Sequence, residues 1–172
     1  MVSGHPSVNR LRTIVMVSTS ATVEAVTTAP LERAWQISTP LTPVGFYPRF
    51  GPLPAVLEVR DQTGAWDSAG QTRQLMLSDG GSVIEHLERV DAPQFFEYRL
   101  SDFQKLFGRL VVGARAEWRY TAVSGGTSIR WAYTFEPYPR ARPVVGLIVR
   151  LFWAPYMRRV LPGIVAEIER RA

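Results

Sequence analysis

Residues 115–123 read RAEWRYTAV and residues 128–136 read SIRWAYTFE. In the first stretch Ala116, Trp118, Tyr120 and Ala122 fall on one side, with Arg115, Glu117 and Arg119 on the other. In the second, Ile129, Trp131, Tyr133 and Phe135 face one way, and Ser128, Arg130 and Thr134 the other. A period of two over this length is the pattern of a strand half buried on a sheet. One set is aromatic and the other polar or charged, so the sheet has one buried and one wet face. Ser124-Gly125-Gly126 between the two stretches is turn chemistry, and the pair is expected to be an antiparallel hairpin.

Upstream, the same grammar repeats. Turn signals at 61–70, at Asp79-Gly80-Gly81 and at Asp91-Ala92-Pro93 separate short β-rich runs from Ala55 onward. No helical pattern intervenes among the central strands, so parallel crossovers are ruled out and an antiparallel meander follows. Residues 21–28, ATVEAVTT, add a first strand, and Pro30 with Glu32 opens a short helix over Leu31 to Ile37. Val44 to Phe50 is read as a second short helix among the prolines at 40, 43, 48, 52 and 54.

The chain closes with Pro143 to Arg171, where Leu147, Leu151, Trp153, Met157, Val160, Leu161, Ile164 and Ile168 recur at helical spacing. This predicts a long amphipathic helix over the sheet, kinked or broken near Pro155 and Pro162. The fold class is α+β: a curved antiparallel sheet of six to seven strands, two short helices after the first strand and a long C-terminal helix.

At 172 residues the chain suits one domain, and its composition is that of an ordinary globular protein. Residues 1–15 are expected to be a flexible extension ahead of a single domain over 16–172. Arg10 and Arg12 precede the apolar run Ile14 to Val17, which is shorter than the roughly 7 to 15 residues of an export signal. The absence of cysteine excludes disulfides and thiolate metal sites and favours a cytoplasmic address. The Val144 to Trp153 run is far short of the roughly 20 residues that span a bilayer. The net charge of +5 is almost all arginine, Lys105 being the one lysine, and the arginines are scattered. No phosphate loop or RNA-binding aromatic signature accompanies them, so nucleic acid is not an expected partner.

GQTRQLMLSDGGSVIEHLERVDAPQFFEYRL at 70–100 and GGTSIRWAYTFEP at 125–137 resemble the central hairpins of the START and birch-pollen-allergen (SRPBCC) superfamily, in particular its polyketide cyclase/dehydrase and lipid-transport branch. The resemblance covers roughly residues 20 to 170 and carries fold better than reaction. It implies a helix-grip domain whose sheet bends away from the closing helix and encloses an apolar cavity of the size that small-molecule sites have, roughly 300 to 1,000 Å³. An empty void of about 400 Å³ would cost on the order of 10 kcal/mol, so the hollow calls for ligand, water or collapse.

The resemblance also implies that Arg73 and Glu85 face that cavity from adjacent strands, with Leu75, Leu77 and Leu87 sharing their faces. Alternation alone leaves open whether Glu85 or His86 points inward. An inward Glu85 needs a partner, and Arg73 is the natural one, either as a structural ion pair or as a polar anchor for a ligand carbonyl or hydroxyl. Tyr98, Trp118, Trp131 and Tyr133 on the sheet and Met157 on the helix complete the expected ligand contacts. The same aromatics would also serve as plain core. His86 stands alone outside the N-terminal tail, with only His5 besides, and no metal set, cofactor motif or Ser-His-Asp grouping is read.

Three functions follow as expectations. The first is non-catalytic binding or carriage of a lipophilic small molecule, whether lipid, polyketide or other aromatic. The second is an aromatase/cyclase-like enzyme in which Arg73, Glu85, Tyr98 or Tyr133 polarises a polyketide carbonyl. The third is a peripheral module docking on a membrane or partner through the arginine-rich helix and Val144 to Trp153. Oligomeric state is not readable.

Overall fold

A computed structural model describes residues 18–172; the expectations for residues 1–15, the Ile14 to Val17 run and His5 lie outside the described residues. Seven strands form one antiparallel sheet: β1 (Ser20–Thr27), β2 (Val56–Arg60), β3 (Thr72–Leu77), β4 (Ser82–Asp91), β5 (Phe95–Ser101), β6 (Val111–Val123) and β7 (Gly126–Pro137). Their spatial order is β1-β7-β6-β5-β4-β3-β2. Only β1 departs from the meander, crossing to pair with β7. The 115–123 and 128–136 stretches pair as expected, with Trp118 opposite Trp131 and Ala116 opposite Tyr133. Ala122 departs from the pattern and is exposed, because the hairpin tip runs beyond the packed core.

A short helix, α1 (Leu31–Ser38), follows β1. The second expected helix, at Val44 to Phe50, is absent: the segment is turns, and Pro43 and Pro48 deny it a continuous hydrogen-bond ladder. A tight Phe50–Leu53 turn ends it. Gly51 sits there at φ +55°, and a Cβ would come within 2.9 Å of the Phe152 ring, so the turn needs glycine to lie against the closing helix. A further short helix, α2 (Lys105–Leu110), leads into β6.

The C-terminal segment starts with a 3₁₀ turn at Pro139–Ala141 and continues as α3 (Arg142–Ile148), a π-turn (Val149–Trp153) and α4 (Ala154–Arg171). The π-turn falls just before Pro155. Proline has no N–H for the carbonyl four residues back, and widening the turn by one residue relieves the clash of its ring with that carbonyl. Pro162 is carried inside α4. The π-turn also changes which side chains are buried. One inserted residue rotates the upstream face by about 100°, so Val145 and Val149 join the core while Leu147 and Leu151, assigned to the apolar face from spacing, are half exposed at 52% and 50%.

α4 packs over the inner face of the sheet through Tyr156, Met157, Val160, Leu161, Ile164 and Ile168, giving a helix-grip arrangement with the core between helix and sheet. On the outer face Phe95 is buried under the guanidinium groups of Arg89 and Arg119, 5.1 and 4.8 Å from its ring centre.

Candidate functional site

β3 and β4 pair so that Arg73 stands directly opposite Glu85. Glu85 is the inward residue and His86 faces the other way. The Arg73 Nε–H donates to Glu85 Oε2 at 2.6 Å, with both side chains more than nine-tenths buried. Two opposite charges removed from water together satisfy the requirement that neither can be buried alone.

The face of the same guanidinium lies under Trp66, 3.9 Å from the ring centre. Trp66 comes from the β2–β3 loop, is 1% exposed and has φ +63°. A bulky side chain in the left-handed region costs energy that the surroundings must offset. Here the loop is fixed on both sides: Thr72 N–H donates to Thr63 Oγ1, Gln71 bonds both backbone and carboxylate of Asp67, and Gly70 N–H donates to the Leu87 carbonyl. The strained tryptophan is thereby held over the ion pair.

Two cavities lie between sheet and helix. The smaller, about 40 Å³, is lined by Ser38, Thr39, Tyr47, Trp66, Arg73, Tyr98 and Trp118 among others. The larger, about 90 Å³, is lined by Leu75, Leu77, Glu85, Tyr98, Tyr133, Trp153 and Tyr156 among others. Arg73 borders the first and Glu85 the second, while Tyr47 and Tyr98 border both. The ion pair and the two tyrosines therefore form a partition. The expected single hollow is instead two chambers, each smaller than the roughly 300 Å³ of typical small-molecule sites.

What fills the difference is aromatic. Phe96 stacks on Trp118 at 5.8 Å, Trp118 on Trp131 at 4.8 Å, and Trp153 packs on Tyr133 at 4.5 Å. Of the expected contacts, Arg73, Leu75, Leu77, Glu85, Tyr98, Trp118 and Tyr133 line the chambers. Leu87, Trp131 and Met157 are fully buried but border neither. Trp66, Tyr47, Trp153 and Tyr156 line a chamber without having been picked out for it from sequence. Only the presence of a large aromatic in a polar or proline-rich loop marked the first two.

The polar atoms are unevenly satisfied. Tyr120 OH and Ser38 Oγ bond each other at 2.8 Å. Thr39 Oγ1, Trp131 Nε1, Trp153 Nε1 and Tyr156 OH are buried with no partner in the protein, while Trp118 lies within hydrogen-bonding reach of the Tyr98 hydroxyl. A buried unpaired donor costs roughly 1–3 kcal/mol. Burial, and next the neighbouring Tyr98 phenol and the Glu85 carboxylate, hold the Tyr47 phenol well above the ordinary tyrosine value. Burial and then Glu85 raise Tyr98, and burial raises Tyr133. These phenols are donors, not bases.

His86 takes no part in the interior. Its Nε2 meets Ser101 Oγ at 2.9 Å, and that hydroxyl donates to Asp102 Oδ2 at 2.6 Å. The serine is in the middle of this chain, giving its proton to aspartate and not to histidine, so it is not an activated nucleophile. Among the described residues no group of three or more His, Cys, Asp or Glu is placed to hold a metal.

A family model described as polyketide cyclase / dehydrase and lipid transport matches residues 16–169. No curated protein matches the sequence. Among solved structures, the crystal structure of Ara h 8.0201 is 14% identical with a TM-score of 0.54, covering 87% of this chain and 94% of that one. A solution structure of a protein from Arthrobacter aurescens is 16% identical with a TM-score of 0.61, covering 90% and 88%. DynU16, a protein of the dynemicin biosynthetic locus, is 14% identical with a TM-score of 0.58, covering 89% of this chain and 46% of its own. Likeness at such identity concerns the fold.

Proposed function

The chain belongs to the polyketide cyclase / dehydrase and lipid transport family, within the START and birch-pollen-allergen superfamily, and from that premise we propose that it binds a lipophilic small molecule between the sheet and the closing helix, without catalysis. One observation carries this reading: buried polar atoms without partners on residues that border the chambers, Thr39 Oγ1 at the smaller, Trp153 Nε1 and Tyr156 OH at the larger. A core selected only for stability has little reason to leave three such atoms unpaired beside empty space. A ligand with keto, ester or hydroxyl oxygens among apolar carbon supplies what they lack.

The Arg73–Glu85 pair is electrically neutral as a unit, so a neutral ligand is favoured over a carboxylate, whose charge would remain uncompensated. Ligands larger than either chamber require Tyr47 or Tyr98 to swing aside, which joins the two spaces. Tyr47 sits on the irregular 39–55 segment, whose backbone is tied by only a few turns.

A second reading, cyclase-like catalysis on a polyketide, is favoured by one feature: Arg73 and Tyr98 meet at the partition, where they would polarise a carbonyl. Among the described residues no free general base accompanies them: the tyrosines are held protonated, His86 faces outward and the Glu85 carboxylate is engaged by Arg73. Native mass spectrometry of the purified protein, followed by organic extraction, decides the first reading. A retained apolar molecule is the expected result. Ligand-free protein that also ignores a panel of lipids, steroids and aromatic polyketides overturns it. Turnover of a polyketide that Arg73→Met abolishes would favour the second.

A further inference from the structure

We propose that the α2–α3 face is a docking surface for an anionic lipid membrane. Leu106 on α2 and Val144, Leu147 and Leu151 along α3 and the π-turn are each about half exposed, between 49% and 55%. Residues 144, 147 and 151 are spaced to share one side of the helix, and α2 packs beside α3. Four large, half-exposed aliphatic side chains thus lie on two neighbouring elements, unlike the single exposed leucines found on any surface.

Charge selects the occupant. Between Glu136 and Glu167 the chain carries five arginines and no acidic residue, and the Phe103–Leu110 segment carries Lys105 and Arg109 and no acid. Among the described residues Lys105, Arg109, Arg140, Arg142 and Arg150 form no ion pair. An apolar strip flanked by free cations is the composition of an interfacial helix on anionic lipid. A second copy of the chain would bring the same positive charge to the contact and be repelled.

The larger chamber decides between lipid and an acidic protein. Its lining includes the exposed Gln104 and Asp79 and the half-buried Phe103 and Phe107, so it reaches the surface beside Leu106. A lipophilic molecule leaving there enters the bilayer without crossing water only if this face lies on it. That last step rests on the ligand-binding reading above. No described helix is long and apolar enough to cross a membrane, so the contact is peripheral.

Flotation with phosphatidylcholine vesicles, with and without phosphatidylglycerol, tests the surface. The protein is expected to float with the anionic vesicles at low salt, to be largely released at high salt, and to ignore the neutral ones. Leu147→Asp with Leu151→Asp, both on exposed positions away from the chambers, should cut the bound fraction roughly tenfold or more with the thermal midpoint unchanged. No flotation at low salt, equal flotation of the variant, or self-association in sedimentation that the variant abolishes would overturn the proposal. Protein that floats yet yields no extractable ligand keeps the surface and removes the cavity reading. Protein that yields ligand and ignores vesicles does the reverse.

Discussion

Arg73 and Glu85 meet at 2.6 Å across adjacent strands, and each borders a different chamber. The pair is at once a buried ion pair and part of a wall, and mutation separates the two roles. Glu85→Ala leaves a guanidinium buried without its partner and should cost about 3–5 kcal/mol in urea unfolding. The double variant Arg73→Met/Glu85→Leu removes both charges at similar volume and is expected to be as stable as the parent, or more so. Retained ligand should be lost from both variants. Undiminished ligand in the double variant would show that the pair serves the fold alone.

Trp66 gives a test that depends on backbone as well as burial. Trp66→Ala should cost about 3–5 kcal/mol through the cavity it opens over Arg73. Glycine would ordinarily be worse than alanine in a folded chain. At φ +63° the order should invert, Trp66→Gly being the more stable of the two by about 1 kcal/mol, because glycine alone adopts this conformation without a Cβ penalty. Equal or reversed midpoints in guanidinium would mean that the loop relaxes once the indole is gone.

The ion pair and Trp66 mark the limit of what the sequence discloses. Arg73 and Glu85 are placed at the cavity by the family resemblance; period-two spacing by itself leaves Glu85 or His86 inward, and the burial of a carboxylate then demands a cation. Trp66 sits in DQTGAWDSAG, residues 61–70, a composition that spells a surface turn. Its burial depends on hydrogen bonds to Thr72, Gln71 and Leu87 that no local pattern encodes. The closing helix shows a different failure. Spacing counted across Pro155 assumes an unbroken 3.6-residue turn, and the π-turn adds a residue there. Leu147 and Leu151 then leave the core, and the docking face arises from that shift. The size of the hollow was also beyond reach, since it depends on how far Tyr47, Phe96, Trp153 and Tyr156 reach inward.

Two tyrosines allow the cost of unpaired donors to be measured. Tyr120 OH is bonded to Ser38 Oγ at 2.8 Å, whereas Tyr156 OH is buried with no partner. Tyr120→Phe should destabilise the ligand-free protein by about 1 kcal/mol, the net value of one buried hydrogen bond. Tyr156→Phe removes an unsatisfied hydroxyl and should be neutral or stabilising by a similar amount. The order reverses for ligand retention, where only Tyr156→Phe should weaken binding. Equal losses of stability would show that the Tyr156 hydroxyl finds a partner in solution.

The buried phenols set the behaviour at high pH. Burial raises Tyr47, Tyr98, Tyr120 and Tyr133 above the ordinary value of 10.0. A group whose folded value is raised binds its proton more tightly when folded, so the stability it confers is complete below pH 10.0 and declines as pH climbs toward the folded value. Each such phenol contributes a slope of up to about 1.4 kcal/mol per pH unit in that window. Four acting together should make alkaline unfolding steep and cooperative. Tyrosinate absorbance followed against pH, alongside far-UV circular dichroism, checks this: the main rise in absorbance should coincide with loss of structure. Smooth ionisation of these tyrosines well before unfolding would mean that the partition admits hydroxide or water, and that the chambers are already joined in the ligand-free protein.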